Sequence, residues 1–186
     1  MAVKNFSCTV VFFIFLTIIS SYFTVNGNEI NLGNLAEIFS TLAGGEGCVF
    51  RCPKGSPKRN PGHKPTSNGC GSYGVKFDTS QYPGFEGCCN THDECYDTCN
   101  NEREDCDKQF QECLKDSCLF HTVKGGVEKK LSRKKLKDCE GIADVMYAGT
   151  LGLGCGSYLE AQRNACLCDG KTLSKKQMQK IQQNEL

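Results

Sequence analysis

Three side chains in one short stretch of this 186-residue chain could do acid–base and metal chemistry: His92, Asp93 and Asp107. An imidazole can take a proton from water near neutral pH, and a carboxylate bonded to its other nitrogen fixes the tautomer. A second carboxylate is a hard oxygen donor for a cation such as Ca2+. Such a set suits ester hydrolysis by water, in which the metal polarises the carbonyl and stabilises the developing oxyanion. It requires no serine or thiol nucleophile. The cysteines flanking His92 are placed in bridges by their spacing, which argues against a Cys/His nucleophilic pair. An EF-hand does not fit, because a loop starting at Asp93 lacks glycine at its sixth position. Zinc on thiolates is disfavoured because a full set of bridges leaves no thiolate free. On spacing alone a second reading stays open, with His92 a buried histidine filling a disulfide lattice and Asp107 a helix surface charge.

The elements that must position these groups follow from the cysteines. Cys88 and Cys95 are seven residues apart, as are Cys106 and Cys113, and seven residues is nearly two helical turns, so each pair shares a helix face. A turn-forming stretch, Cys99 to Glu102, separates the two segments and makes two antiparallel helices the natural arrangement. Cys88 can then meet Cys113 while Cys95 meets Cys106, two rungs about 10 Å apart. His92 falls between the rungs on the cysteine face, and Asp107 stands beside Cys106 within reach of an imidazole. Asp93, rotated about 100° from His92, points toward whatever packs beside the pair.

Asn68 to Gly74 surrounds Cys70 with glycines, and such a loop can turn its backbone carbonyls inward toward a hard cation. A plain turn is the alternative. The calcium reading gains weight if Cys70 is bridged to Cys89, which would press the loop against the helix that carries Asp93.

Elsewhere, Leu32, Leu35, Ile38, Phe39 and Leu42 recur at spacings of three and four and predict an amphipathic helix over 31–42, which packs on a core or lines an apolar channel or membrane contact. Residues 44–69 read as irregular chain held by Cys48 and Cys52. A short strand or hairpin is expected within 73–82 and a charged, helical segment over 128–138. Ile142, Val145, Met146, Gly149 and Leu153 predict a further helix pinned by Cys139 and Cys155. Cys166 and Cys168 close the ordered part, and the polar tail 169–186 is expected to fray. The fold class is mostly α and disulfide-rich, with two cross-linked antiparallel helices, an N-terminal amphipathic helix and a calcium-binding loop.

Composition sets the compartment. Fifteen cysteines and no tryptophan mark a disulfide scaffold and an oxidising environment. Lys4, the apolar run Cys8 to Ile19 and small residues up to Gly27 read as a signal peptide over 1–27, too short for a membrane span. Its removal takes away Cys8 and leaves an even set of cysteines. Loss of Lys4 also balances acids and bases, which offers no case for nucleic-acid binding. Charges are segregated, acidic around the site and basic over 124–137, a solvated surface or a dock for anionic lipid. The last two residues match the endoplasmic-reticulum retention signal, a minor alternative to secretion.

The run Cys88-Cys89-Asn90-Thr91-His92-Asp93-Glu94-Cys95-Tyr96 resembles the signature of the secreted phospholipase A2 family, and Cys106-Asp107 with Cys113 is similar to its second catalytic helix. Gly69 to Ser72, the Cys106 to Cys118 pattern and Leu153 to Cys168 most resemble group XII. The resemblance covers roughly Leu35 to Cys168, and one domain over 28–168 is expected. It implies calcium-dependent hydrolysis of the sn-2 ester of glycerophospholipids at a membrane or micelle surface by a monomer. It further implies that His92 activates water, Asp107 orients His92, and Tyr96 bonds Asp107. Asp93 with the carbonyls of Gly69, Gly71 and Tyr73 would hold Ca2+, and the Gly71 amide would help bind the oxyanion. The family's bridges map onto Cys70–Cys89, Cys88–Cys113 and Cys95–Cys106. The calcium loop is shorter here than in the family at large, which puts Gly74 beside Tyr73 as a candidate third ligand. Some group XII relatives lack the catalytic histidine and are inactive; this chain keeps it. The alternative function is a weakly active or inactive secreted protein that binds lipid or a receptor on the same scaffold.

Overall fold

The computed structural model describes residues 48–72, 75–119, 121–123, 127–129 and 132–183. In chain order they form β1 (Lys58–Arg59), β2 (Gly71–Ser72), β3 (Val75–Lys76), α1 (Phe85–Tyr96), α2 (Arg103–Leu119), β4 (His121–Val123), β5 (Val127–Lys129), α3 (Arg133–Ala165), β6 (Cys166–Leu167) and α4 (Lys175–Gln183). The expected leader over 1–27 and helix over 31–42 lie outside the described residues, as do Tyr73 and Gly74.

The chain is mostly helical, and α2 packs against both α1 and α3. α1 starts at Gly84, whose φ of 102° is left-handed, and a Cβ there would stand 2.9 Å from Ser117 Oγ on α2. Glycine is therefore needed at this joint both for its backbone and for its missing side chain. The helix ends at Asp97, whose N–H bonds Asp93 O, and Asn100 turns the chain at φ 69°, a conformation asparagine tolerates. α2 then runs back along α1, so the expected pair of helices is present.

α3 is the longest element, 33 residues or about 50 Å. Ser132 caps it by accepting from Lys135 N. Its inward face carries Cys139, Ala143, Tyr158, Leu159, Gln162 and Ala165. The apolar periodicity that predicts this helix lies largely on the other side. Ile142, Val145 and Leu153 are 39%, 43% and 43% exposed, and only Met146 of that set packs on the core. The predicted charged helix over 128–138 is corrected in the same region. Residues Val127–Lys129 pair with His121–Val123 as a hairpin, and helix begins at Arg133.

Seven disulfides take up every described cysteine: Cys48–Cys155, Cys52–Cys168, Cys70–Cys89, Cys88–Cys113, Cys95–Cys106, Cys99–Cys166 and Cys118–Cys139. Both inferred rungs are present, and so is the Cys70–Cys89 bridge. Two hydrophobic clusters surround the cystines. One holds Phe50, Tyr96, Tyr158, Leu159 and Leu173, the other Phe85, Phe110, Leu114 and Ala143.

The segment 48–69 is irregular as expected, except that β1 pairs antiparallel with β6. The tail does not fray over its described part. Leu173 is buried, Met178 and Ile181 pack on the first cluster, and α4 is closed by a capping box. In that box Ser174 Oγ accepts from Gln177 N while Gln177 Oε1 accepts from Ser174 N. Apolar residues three apart in a short helix decide its docking, and the polar composition hid them. No described helix is long and apolar enough to cross a membrane.

Candidate active site

α1 and α2 bring His92 and Asp107 face to face between the two rungs. His92 Nε2 lies 2.8 Å from Asp107 Oδ1. Both are buried, Asp107 almost completely. A carboxylate is an acceptor, so Nε2 carries the hydrogen and Nδ1 keeps its lone pair for a proton from water. The imidazole ring is stacked on Phe110 at 4.6 Å and tilted on Tyr96 at 4.2 Å, which fixes its plane.

Asp107 has two further partners. Tyr96 Oη donates to the same Oδ1. Burial first, and then the Asp107 charge, push the Tyr96 phenol far above its ordinary range, so it remains a donor. On the other side Arg103 Nε faces Asp107 Oδ2 at 3.3 Å, one turn earlier on α2. The geometry is that of an ion pair rather than a hydrogen bond, since Nε has no aligned acceptor. The guanidinium is held by α3, with Nη2 donating to the carbonyls of Thr150 at 2.9 Å and Leu151 at 2.7 Å.

α3 closes over this cluster because it has glycine at 154. A Cβ there would meet Tyr96 Oη at 2.9 Å. Farther along, the fully buried Gln162 donates to the carbonyls of Tyr96 and Thr98, both at 2.7 Å, and accepts from Asn100 N at 3.0 Å. The turn that reverses the chain between the two helices is thus held from α3.

Asp93 lies against the glycine loop. Asn68 N donates to Asp93 Oδ2 at 2.9 Å, and Gly69 N donates to Asn90 Oδ1 at 3.0 Å. Burial, reinforced by Asp97 and Glu94, pushes the Asp93 carboxyl up, against the Asn68 amide and His92, which pull it down. A half-buried carboxylate among like charges is relieved by a cation. The loop beside it offers backbone carbonyls, the other kind of hard-oxygen donor that such a cation takes. Gly69 has a left-handed φ of 83°. Phe77 N bonds Cys70 O at 2.8 Å, so Gly71 and Lys76 form a pair whose own N–H and C=O groups turn away from the partner strand. The Gly71 carbonyl and amide are thereby left for a ligand. Oxygen donors of this kind suit Ca2+, and Asp93 with the carbonyls of Gly69 and Gly71 could hold it; Tyr73 lies outside the described residues. Among the described residues no group of three or more His, Cys, Asp or Glu could hold a metal through side chains alone.

A cleft of about 460 Å³ opens beside the same loop, bordered by Asn68, Gly69, Lys76, Phe77, Tyr82 and Glu86. Neither His92 nor Asp107 lines it, so the cleft and the buried His92–Asp107 pair are separate features.

Arg103, Gln162, Phe110 and Gly154 were not legible as site residues. Arg103 alone left a signal, its i,i+4 spacing to Asp107, masked by acidic neighbours that read as solvated surface.

Residues 23–176 match the family model described as Group XII secretory phospholipase A2 precursor. The chain is 39% identical over 134 residues to the Group XIIA secretory phospholipase A2 of Mus musculus, a match covering 68% of this chain and 66% of that protein, slightly under two thirds of its length. The Homo sapiens protein of the same name is also 39% identical over 134 residues, covering 68% of this chain and 67% of that one. The Group XIIB secretory phospholipase A2-like protein of Mus musculus is 32% identical over 155 residues, covering 77% and 76%. No solved structure matches the chain. With a family model spanning most of its length and relatives of the same group on either side of the A/B division, the chain belongs to the group XII secretory phospholipase A2 family.

Proposed function

We propose that the protein, secreted after loss of a leader over 1–27, is a calcium-dependent phospholipase A2. It hydrolyses the sn-2 ester of glycerophospholipids at a membrane or micelle surface and releases a fatty acid and a lysophospholipid. The observation that carries this reading is the buried contact of His92 Nε2 with Asp107 Oδ1 at 2.8 Å. His92 Nδ1 takes a proton from water as the water oxygen attacks the ester carbonyl carbon. The bond to the glycerol oxygen then breaks, and the proton on Nδ1 passes to that leaving oxygen. Asp107 keeps its charge and holds the imidazole in one tautomer while Nδ1 gains and loses the proton. The Gly71 N–H, turned out of its ladder, donates to the oxyanion. Held by Asp93 and the carbonyls of Gly69, Gly71 and Tyr73, calcium would polarise the ester carbonyl and oppose the developing negative charge.

Fatty-acid release from mixed phospholipid vesicles, with and without a chelator, tests the reading. Release should require calcium and fall on the order of 10²–10⁴-fold in His92→Gln. Undiminished release by the variant would exclude His92 as the base. The 32% identity to a relative named as phospholipase A2-like favours a second reading, a lipid- or receptor-binding protein with little activity. That reading prevails if wild-type protein releases no fatty acid at millimolar calcium.

A further inference from the structure

Residues Thr66 to Gly69 run antiparallel along one edge of α1, each bonded to a residue farther down the helix. Thr66 N and Oγ1 donate to Asp97 Oδ2 at 2.9 and 3.1 Å. Ser67 Oγ donates to Glu94 Oε1 at 3.3 Å. Asn68 N reaches Asp93 and Gly69 N reaches Asn90, and the Cys70–Cys89 disulfide closes the series. At the upper end His63 Nε2 sits 2.9 Å from Asp97 Oδ1, off the hydrogen-bond axis, with side chains 20% and 9% exposed. Asp97 therefore gathers contacts from the stretch leading into the calcium loop; one turn beyond Asp93, it bonds the Asp93 carbonyl through its N–H, while its own carboxylate is taken up by Thr66 and His63.

Resting on the calcium reading above, we propose that His63, Thr66 and Asp97 form a clasp that positions the calcium loop on α1. A glycine-rich loop free of its helix samples many backbone states, and fixing each residue costs about 1–2 kcal/mol. A clasp fastened before the metal arrives removes that ordering from the binding step, so its loss should appear in calcium affinity rather than in turnover at saturating calcium. The three are positioning residues, since none contacts the reacting atoms.

Calorimetric titration of the full secreted chain with calcium chloride, without lipid, tests the clasp. His63→Ala and Thr66→Val should each weaken calcium binding about 3- to 10-fold, the span of one lost hydrogen bond or ion contact. His63→Gln, whose side-chain amide can donate to Asp97 Oδ1 in place of the ion contact, should bind within about twofold of wild type. A purely electrostatic influence of Asp97 predicts the opposite sign for His63→Ala, because removing a group that carries positive charge when protonated leaves calcium binding unchanged or tighter. That result overturns the clasp. Amide exchange at Asn68 and Gly69 in calcium-free protein gives a second readout. Faster exchange in His63→Ala supports the clasp, and unchanged exchange overturns it whatever the metal does. Absence of binding heat from wild type at millimolar calcium overturns the calcium reading itself.

Discussion

Asp107 is the residue on which the site converges. Its Oδ1 accepts from His92 and Tyr96, and its Oδ2 faces Arg103. The three partners carry different tasks, so substitutions should separate. Asp107→Asn keeps the shape but no longer selects the Nε2–H tautomer, and fatty-acid release should fall on the order of 10²–10⁴-fold. Tyr96→Phe keeps the ring contacts with His92 and Tyr158 and removes one hydrogen bond, for a loss of about fivefold. Arg103→Met leaves the buried Asp107 without its counter-charge and the Thr150 and Leu151 carbonyls without their donor. Urea unfolding should show a loss of about 3 kcal/mol. A Tyr96→Phe loss as large as that of Asp107→Asn would mean that the aspartate does not orient the imidazole without the tyrosine's hydrogen bond. At this scale the sequence is informative where partners sit on neighbouring faces of linked helices, as His92 and Asp107 do. It is silent on Gln162, which contacts Tyr96 from 66 positions away.

Two glycines in α3 show how differently one residue type can serve one element. Gly154 has Tyr96 Oη in the place a Cβ would take, at 2.9 Å, whereas nothing lies within 4 Å of the corresponding point at Gly149. Gly149→Ala should stabilise the protein by up to about 1 kcal/mol through helix propensity. Gly154→Ala must displace a buried phenol, and should cost about 1–3 kcal/mol and lower activity with it. Thermal unfolding of the two variants is the measurement, and equal shifts would contradict the packing. Glycines five apart in a helical pattern read as breakers, which is why the length of α3 was not legible although its apolar spacing was. α4 gives a case of pH dependence. Glu160 Oε1 lies 2.7 Å from Arg163 and 3.1 Å from Lys175, and these partners, Arg163 first, hold its carboxyl below the usual range against the opposing effect of burial. A lowered folded-state pKa contributes stability above the ordinary carboxylate range and loses it as pH falls. Proteolysis or amide exchange of α4 should therefore quicken under acid, and Glu160→Gln should remove that dependence.

Across the whole molecule the cystines stand where a larger protein would place aliphatic core, and they fall into two kinds. Cys52–Cys168 spans 116 positions and ties the irregular segment 48–69 to the stretch that follows α3, while Cys95–Cys106 spans 11 and sets the spacing of the helices that carry His92 and Asp107. The second kind was legible from helical periodicity alone. The first was not, because nothing local relates Cys52 to Cys168 until β1 pairs with β6. The chain-entropy argument ranks their stabilities by loop length. Removing Cys52 and Cys168 together should cost about 5 kcal/mol, and removing Cys95 and Cys106 about 3 kcal/mol. Activity should rank the other way, because a gap of even 1 Å between imidazole and carboxylate forfeits their hydrogen bond, while the long bridge lies away from it. Urea unfolding and fatty-acid release on the two paired Cys→Ala variants would show whether stability and catalysis divide along these two kinds of bridge. If the long-range pair proves the more damaging to turnover under conditions where both variants remain folded, the short rung does not set the distance on which the dyad depends.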